Sequence, residues 1–156
     1  MNGIDVVEVR PQVVVGMRKR GKYGDMVTMI PKVCQFAMEK GVQIQGPPVF
    51  VCHEMSQEEV MKADKEGSAD VEVVVAVSAK VEDGTEVKCY ELPGGKMAKT
   101  VHKGPYEDCG PTYEELFAWL RQNGKRIVGP MREIYLNDPR EVPKEEILTE
   151  IYAPIE

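Results

Sequence analysis

The feature that most constrains this chain is an internal repeat. A shift of 83 residues places residues 4–52 on residues 87–135 without a gap, and eight positions are then identical. The identities cluster where the chain reads "GKYGD" against "GPYED" and "GVQIQGP" against "GKRIVGP". Repeats of this kind indicate that one structural module is used twice. We therefore expect two copies, at about 1–80 and about 84–156, within a single domain spanning 1–156.

Each copy is predicted to read β-α-β-β. Apolar residues recur at helical spacing in residues 29–40 and 112–123, and a glycine stands at the end of each run. Thr28 is expected to cap the first helix. Thr112 followed three positions later by Glu115 is the capping-box pattern, which predicts the start of the second helix.

The strands and connectors around these helices complete the predicted fold. Runs rich in β-branched and aromatic residues flank both helices and predict strands. The polar stretch 54–70 lacks strand character and is expected to be a solvated connector with room for a helical turn. Two modules related by a pseudo-twofold axis would merge into one antiparallel sheet with both helices on one face. The predicted class is therefore α+β, with a central groove for a small ligand on the opposite face.

Composition and charge exclude several classes of protein. The chain has 156 residues, is 42% hydrophobic and carries a formal net charge of -6. Direct binding of nucleic acid needs a stripe of basic residues, so such binding is not expected. Neutral or cationic partners are favoured. No run of apolar residues is long enough to span a membrane. The first residues lack the basic and apolar regions of a signal peptide, so a cytoplasmic protein is expected.

The cysteines predict neither a disulfide nor a metal site. Cys34, Cys52, Cys89 and Cys109 show no CxxC spacing, and only two histidines could join them. Small, buried thiols in a reducing compartment account for such cysteines. We expect four free thiols, no metal and no cofactor.

The stretch "GPMREIYL" at 129–136 contains a candidate functional residue, Glu133. In a strand, Glu133 and Tyr135 take one face and Ile134 takes the other. The repeat places Phe50 at the position of Glu133 and Cys52 at that of Tyr135, so this face is expected to be shielded from water. The prediction is that these four residues point into the groove and that Ile134 points toward the helices.

A carboxylate in such a groove has a defined chemistry. The last strand is predicted to add Tyr152 to the same wall. Desolvation would raise the pKa of Glu133, and a bound cation would reverse that shift and be held by aromatic faces as well. The alternative is that Glu133 pairs with Arg132, Arg140 or a lysine at the rim.

Three motifs resemble one known family. They read "HKGPYEDCGPTYEELFAWL" at 102–120, "GPMREIYLNDPREVPKEEILTEIYAPI" at 129–155 and "GPP" at 46–48. Over nearly its whole length the chain resembles the GyrI-like small-molecule-binding domain. That family includes the DNA gyrase inhibitor protein and the effector-binding domains of multidrug-responsive regulators of the AraC and MerR types.

The resemblance implies a fold, a ligand class and a site. The implied fold is a tandem β-α-β-β domain with its ligand in the central groove. The implied counter-charge for a lipophilic cationic ligand is Glu133, with Tyr135 beside it. Some stand-alone members are hydrolases that open cyclopropane-containing genotoxins with a glutamate and a tyrosine. The first copy departs from the family pattern, since Cys52 and His53 stand where Tyr precedes His, and this implies a wider or less polar groove there.

Three hypotheses follow for the function. The first is a stand-alone small-molecule-binding domain of the kind used in transcription regulation, with a hydrophobic or cationic ligand held by Glu133, Tyr135, Phe50, Cys52 and Tyr152. The second is a hydrolase of strained electrophiles, with Glu133 as general base or carboxylate stabiliser and Tyr135 as acid. The third is a protein-interaction module of the gyrase-inhibitor type, with a protein partner.

Overall fold

Two compact units of α+β structure make up the protein. The computed structural model describes residues 3–138 and 140–156. The first unit is Pro11–Pro93. The second unit consists of the residues up to Arg10 together with Gly94–Glu156. Helices and antiparallel strands form both units, which confirms the predicted α+β class.

The described residues form helices and strands in both units. Their bounds in chain order are β1 (Asp5–Val9), β2 (Gln12–Gly21), α1 (Met26–Glu39), β3 (Val49–Cys52), α2 (Gln57–Glu66), β4 (Ala69–Ala76), β5 (Lys88–Leu92), β6 (Gly95–Lys103), α3 (Gly110–Gln122), β7 (Met131–Tyr135) and β8 (Leu148–Pro154). Short 3-10 helices lie at Tyr23–Asp25, Tyr106–Asp108 and Lys144–Glu146.

In the first unit four strands form an antiparallel sheet in the order β3-β4-β2-β5. Helix α1 packs on β2 and β4. Its fully buried residues are Met29, Val33 and Ala37, which recur every four positions and so form one stripe along the helix. Burial of this stripe against the valine-rich strand β4 is what holds the helix on the sheet.

The second unit repeats this arrangement with the order β1-β6-β8-β7, again antiparallel. Helix α3 packs on one face of this sheet through Leu116 and Leu120. The buried residues of that core are Ala98, Leu116, Leu120, Ile151, Ala153 and Ile155. The face that carries α3 is therefore the face of β8 to which Ile151 and Ala153 belong.

The two sheets exchange their edge strands. Strand β1 directly precedes β2 in the chain but pairs with β6, in the second unit. Strand β5 directly precedes β6 but pairs with β2, in the first unit. Each sheet is therefore completed by the segment that precedes the first long strand of the other unit. In this respect the units differ from the continuous modules that the repeat suggested.

Element bounds in the two units correspond at the offset of the sequence repeat. Asp5 and Lys88 begin β1 and β5, and Tyr23 and Tyr106 begin equivalent 3-10 helices, in each case 83 positions apart. The last strands, β4 and β8, correspond at a different offset. Across the ladder Val51 faces Glu72 in the first unit, and its equivalent Ile134 faces Glu150 in the second.

Both predicted helix starts are wrong by a few residues. Helix α1 begins at Met26, so Thr28 lies inside its first turn and its hydroxyl donates to the Asp25 carbonyl. Helix α3 begins at Gly110, so Thr112 is not a cap. Its hydroxyl bonds the ring of His102 instead, at 2.8 Å from Nδ1. In both cases a 3-10 turn ends within one residue of the helix, and the helix begins before the threonine.

The predicted connector at 54–70 contains a helix of ten residues, α2. The Ser56 hydroxyl accepts a hydrogen bond from the Glu59 amide at 3.1 Å and caps the first turn. At the other end Gly67 has a φ of 69°, the left-handed conformation that commonly ends a helix. A polar composition with a good cap is thus compatible with a helix that lies on the surface.

All four cysteines carry reduced thiols, and Cys109 is the buried one. Among the described residues no helix has the length and hydropathy that a membrane crossing requires.

Proline substitutions at two equivalent, exposed glutamates test the strand exchange. Glu8 faces Lys96 of β6, and Glu91, 83 positions later, faces Val13 of β2. Proline disrupts a ladder because it lacks the amide proton and fixes φ. We expect Glu8→Pro to lower hydrogen-exchange protection in β6 and Glu91→Pro to lower it in β2.

Each variant serves as the control for the other. Loss of protection in β2 after Glu8→Pro, with β6 unaffected, would contradict the exchange.

Candidate functional site

The register of β7 and β8 determines which way Glu133 points. Directly opposed residues of an antiparallel pair share a face. Glu133 is opposed to Ile151, which packs under α3, whereas Ile134 is opposed to Glu150. Glu133 therefore lies on the face that carries the helix. The prediction that Ile134 faces the helix and that Glu133 points away from it is wrong.

Two tyrosine hydroxyls donate hydrogen bonds to the Glu133 carboxylate. Tyr135, two residues along the same strand face, donates to Oε1 at 3.0 Å. Tyr113, in the first turns of α3, donates to Oε2. The helix position of Tyr113 and the strand position of Glu133 are brought together because Leu116 and Leu120 pack on Ile151. The half-buried carboxylate thus has a hydrogen-bond donor on each oxygen.

Tyr106 and Cys109 complete this group, which we call the Glu133 cluster. The ring of Tyr106 meets that of Tyr135 edge to face, with centroids 5.4 Å apart and planes at 70°. Cys109 is buried and precedes the first residue of α3. The cluster is therefore built from Tyr106, Cys109, Tyr113, Glu133 and Tyr135, all of the second unit.

The negative charge of Glu133 acts on its neighbours. Burial raises the pKa of Tyr135 well above its ordinary value, and the charge of Glu133 and the hydrogen bond to it raise it further. Burial raises the pKa of Cys109 to about 12, with Glu133 adding to the shift. Tyr106 has a raised pKa for the same two reasons. These groups therefore remain protonated and neutral, and Glu133 supplies the charge of the cluster.

The two arginines considered as partners of Glu133 take other positions. Arg140 donates to Asp138, at 2.8 Å, two residues away in the same loop. Arg132 is opposed to Tyr152, so it lies on the other face of the sheet. The oxygens of Glu133 accept instead from the two tyrosine hydroxyls.

The structure does not bring Tyr152 to Glu133. Tyr152 lies on the face of β8 away from α3, where it donates to Glu150 at 3.3 Å. The ammonium of Lys99 lies 5.7 Å from the centre of its ring and 2.9 Å from a Glu150 oxygen. This face therefore already contains a cation between an aromatic ring and a carboxylate.

Phe50 and Cys52 belong to the first unit, where they have their own partners. Phe50 is buried and meets the ring of Tyr23 edge to face, at 5.8 Å and 83°. The Cys52 thiol lies 3.5 Å from the carbonyl of Glu54. Tyr23 and Phe50 occupy the positions of Tyr106 and Glu133 in the repeat, so the first unit places a neutral ring where the second places the carboxylate.

Sequence reasoning missed the three members of the cluster that come from α3 and the turn before it. Tyr113 was missed because it is spaced from Leu116 and Leu120 as a core residue of a helix would be. Tyr106 has Tyr23 at the equivalent place of the repeat, and a residue type shared by both copies favours a packing role when only the sequence is considered. The order "YEDCGPTY" just before an apolar helix was the available signal.

A shallow cavity of about 490 Å³ also occurs in the first unit. Its walls come from α1 and the loop before β5, with Phe36 and Val87 as apolar parts. Lys32 and Glu86 pair across it at 3.5 Å. None of the residues proposed from the sequence contributes to it. Within the described residues no three His, Cys, Asp or Glu side chains are grouped as metal ligands would be.

Comparison with known proteins identifies the family. A family model described as the GyrI-like small molecule binding domain matches residues 3–156. The chain belongs to the GyrI-like family. No curated protein sequence matches this GyrI-like domain significantly.

Solved structures with the same fold include the C-terminal domain of EcmrR, a protein described as a hydrolase and a ligand-bound protein. The C-terminal domain of EcmrR superposes with a TM-score of 0.86 and 22% identity over 100% of this chain and 98% of that one. The EcmrR chain from a complex with DNA matches with a TM-score of 0.85 and 22% identity, over 99% of this chain and 57% of the EcmrR chain.

Two further solved structures share the fold at lower TM-scores. A hydrolase encoded by lin2189 from Listeria innocua has a TM-score of 0.74 and 15% identity, over 98% of this chain and 91% of that one. SAV2435 bound to tetraphenylphosphonium has a TM-score of 0.61 and 13% identity, over 98% and 93%. At these identities the likeness establishes the fold.

Alkaline titration tests the burial of the tyrosines. The pKa is raised for Tyr23, Tyr90, Tyr106, Tyr135 and Tyr152. An unfolded chain loses these protons near pH 10, about the ordinary value, whereas the folded chain retains them. Folding stability is therefore complete below that pH and falls as the pH rises above it.

We expect the tyrosinate absorbance of the native protein to rise at higher pH than that of the urea-unfolded chain, together with loss of the folded circular dichroism signal. Coincident titration curves for the two states would contradict the structure.

Proposed function

We propose that this GyrI-like domain binds a hydrophobic cation at the Glu133 cluster. The observation that carries the proposal is a carboxylate beside Tyr106, Tyr113 and Tyr135, with its oxygens bonded to two of them. No other member of the cluster is charged, so a positive ligand would be complementary to it. The family's small-molecule-binding fold supports the proposal at the level of ligand size.

The hydrogen bonds of the cluster suit a cation that cannot itself donate a hydrogen bond. A phosphonium or quaternary ammonium offers charge and apolar surface but no proton. The hydroxyls of Tyr113 and Tyr135 can then keep the carboxylate satisfied while the cation is attracted by its charge and by the ring faces. A primary ammonium would have to compete with these hydroxyls for the same oxygens. We therefore propose lipophilic, fully substituted cations as the preferred ligand class.

The neighbours supply both a probe and a biological context for this proposal. The SAV2435 structure contains tetraphenylphosphonium, a cation of the proposed class. The fold is shared with the C-terminal domain of EcmrR, a protein solved in complex with DNA. We propose that the present domain senses a ligand and does not itself bind nucleic acid, since its net charge is -6.

A second candidate function is hydrolysis of a strained electrophile at the same cluster. The observation that favours it is the Tyr135 hydroxyl, a protonated donor 3.0 Å from Glu133. Such a pair can supply a general acid and a carboxylate to one substrate. The Listeria innocua neighbour described as a hydrolase has the same fold. In this scheme Glu133 takes a proton from the attacking water, the water oxygen bonds to a substrate carbon as the strained bond breaks, and Tyr135 protonates the leaving atom.

The substitution Glu133→Gln tests the binding proposal. It keeps the shape of the side chain and removes its charge. Binding of tetraphenylphosphonium, measured by calorimetry, should weaken by roughly 1–3 kcal/mol, the scale of an interaction with a charged group. Binding of the neutral triphenylphosphine oxide should change little. The matched control is Glu150→Gln, in the same unit but on the opposite face, which should leave both affinities unchanged.

The same variants separate the binding and hydrolase functions. An enzyme that uses Glu133 should lose about 10²–10⁴-fold in turnover of a cyclopropane-bearing electrophile on Glu133→Gln. Tyr135→Phe should also impair turnover, because the proton donor is removed, while it spares stacking on the ring. Equal loss of cationic and neutral ligands on Glu133→Gln would exclude a counter-charge role. No effect on any ligand would favour the protein-interaction function.

A further inference from the structure

A second buried carboxylate, Glu72, lies in the first unit on β4. Only 6% of the residue is exposed. Its Oε1 lies 2.6 Å from Nε2 of His53, and its Oε2 accepts from the Tyr90 hydroxyl at 2.5 Å. His53 directly follows β3, and Tyr90 lies on the edge strand β5. Three different parts of the unit therefore converge on one carboxylate.

Gly16 leaves room for the Tyr90 hydroxyl beside Glu72. A Cβ atom at Gly16 would lie 2.3 Å from the Tyr90 hydroxyl oxygen, so any larger residue would push the tyrosine off Glu72. The equivalent residue in the second unit is Lys99, which pairs with Glu150, the equivalent of Glu72. The same glutamate position thus receives a lysine in one unit and a tyrosine with a histidine in the other.

These contacts determine which ring nitrogen of His53 carries the proton. Burial by itself raises the pKa of Glu72, but the hydrogen bonds from His53 and Tyr90 outweigh it, and the pKa of Glu72 is lowered overall. An ionised carboxylate can only accept hydrogen bonds. Nε2 of His53 must therefore be the donor, and in the neutral form of the ring the lone pair lies on Nδ1.

That lone pair is available for reaction. Among the described residues Nδ1 of His53 has no hydrogen-bond partner, and it is not sealed from solvent, since 18% of the side chain is exposed. The other histidine, His102, provides a contrast within the same chain. Its Nδ1 bonds the Thr112 hydroxyl at 2.8 Å, its Nε2 bonds the Pro105 carbonyl at 2.9 Å, and only 6% of the residue is exposed.

We propose that His53, oriented by Glu72, is an acceptor site for small acylating electrophiles, separate from the Glu133 cluster. A carboxylate that holds one ring nitrogen of histidine fixes the tautomer and stabilises positive charge that develops on the ring. Attack of Nδ1 on an activated carbonyl forms the N–C bond and expels the leaving group with its electron pair. The expelled group then takes up the Nε2 proton, and attack of water on the acyl-imidazole releases the carboxylic acid and regenerates His53.

Diethyl pyrocarbonate is a suitable probe for this site. Nδ1 attacks a carbonyl carbon, and the departing ethyl carbonate takes up the released proton and decomposes to ethanol and carbon dioxide. We expect peptide mapping by mass spectrometry to show His53 modified at least about tenfold faster than His102, because His102 must first break a hydrogen bond. Hydroxylamine should remove the label from His53.

Substitution of Glu72 tests the role of the carboxylate. In Glu72→Gln the charge is lost, and the rate at His53 should fall by about tenfold or more. The matched control, Glu150→Gln, should leave that rate unchanged. The rate at His102 reports the fold, since an unfolded variant would label both histidines equally. Equal rates in the wild-type protein, no labelling of His53, or an undiminished rate in Glu72→Gln in which His102 stays protected would each overturn the proposal.

Discussion

The site depends on the register of the ladder between β7 and β8. Because Glu133 is opposed to Ile151, it shares a face with the core under α3. This one pairing brings a strand carboxylate within reach of a helix tyrosine, Tyr113. A slip by one residue would move every side chain of β7 to the other face and would place Ile134 under the helix. The packing of Leu116 and Leu120 on Ile151 therefore holds both the fold and the site in place.

The glutamates on the two sheet faces have different hydrogen-bond and ion-pair partners. On the helix-bearing face of the second unit, Glu133 is bonded by neutral tyrosines, so its charge is not cancelled within the cluster. On the opposite face, Glu150 is neutralised by Lys99, a cation of the protein itself. In the first unit Glu72 takes the place of Glu150 and is paired with His53. Of these three carboxylates, the one in the cluster is thus the best suited to an external cation.

Much of the fold could be predicted from the sequence, because the repeat at 83 residues and the helical stripes depend on local patterns. The bounds of β1 and β5 follow that offset, and both long helices were expected. The exchange of edge strands was not predicted, since hydrogen-bonding partners far apart in sequence leave no local signal. The face of Glu133 was predicted wrongly because the apolar Ile134 was assumed to point to the helix. Hydrogen bonds from two tyrosine hydroxyls to the Glu133 carboxylate make the helix-bearing face favourable for it.

A crystal structure of the protein with tetraphenylphosphonium tests the central claim most directly. The account predicts the cation beside Glu133, against the rings of Tyr106, Tyr113 or Tyr135, with the carboxylate still bonded to at least one hydroxyl. A cation beside Glu150 and Tyr152, or in the cavity lined by Phe36 and Val87, with the Glu133 cluster unchanged, would contradict it.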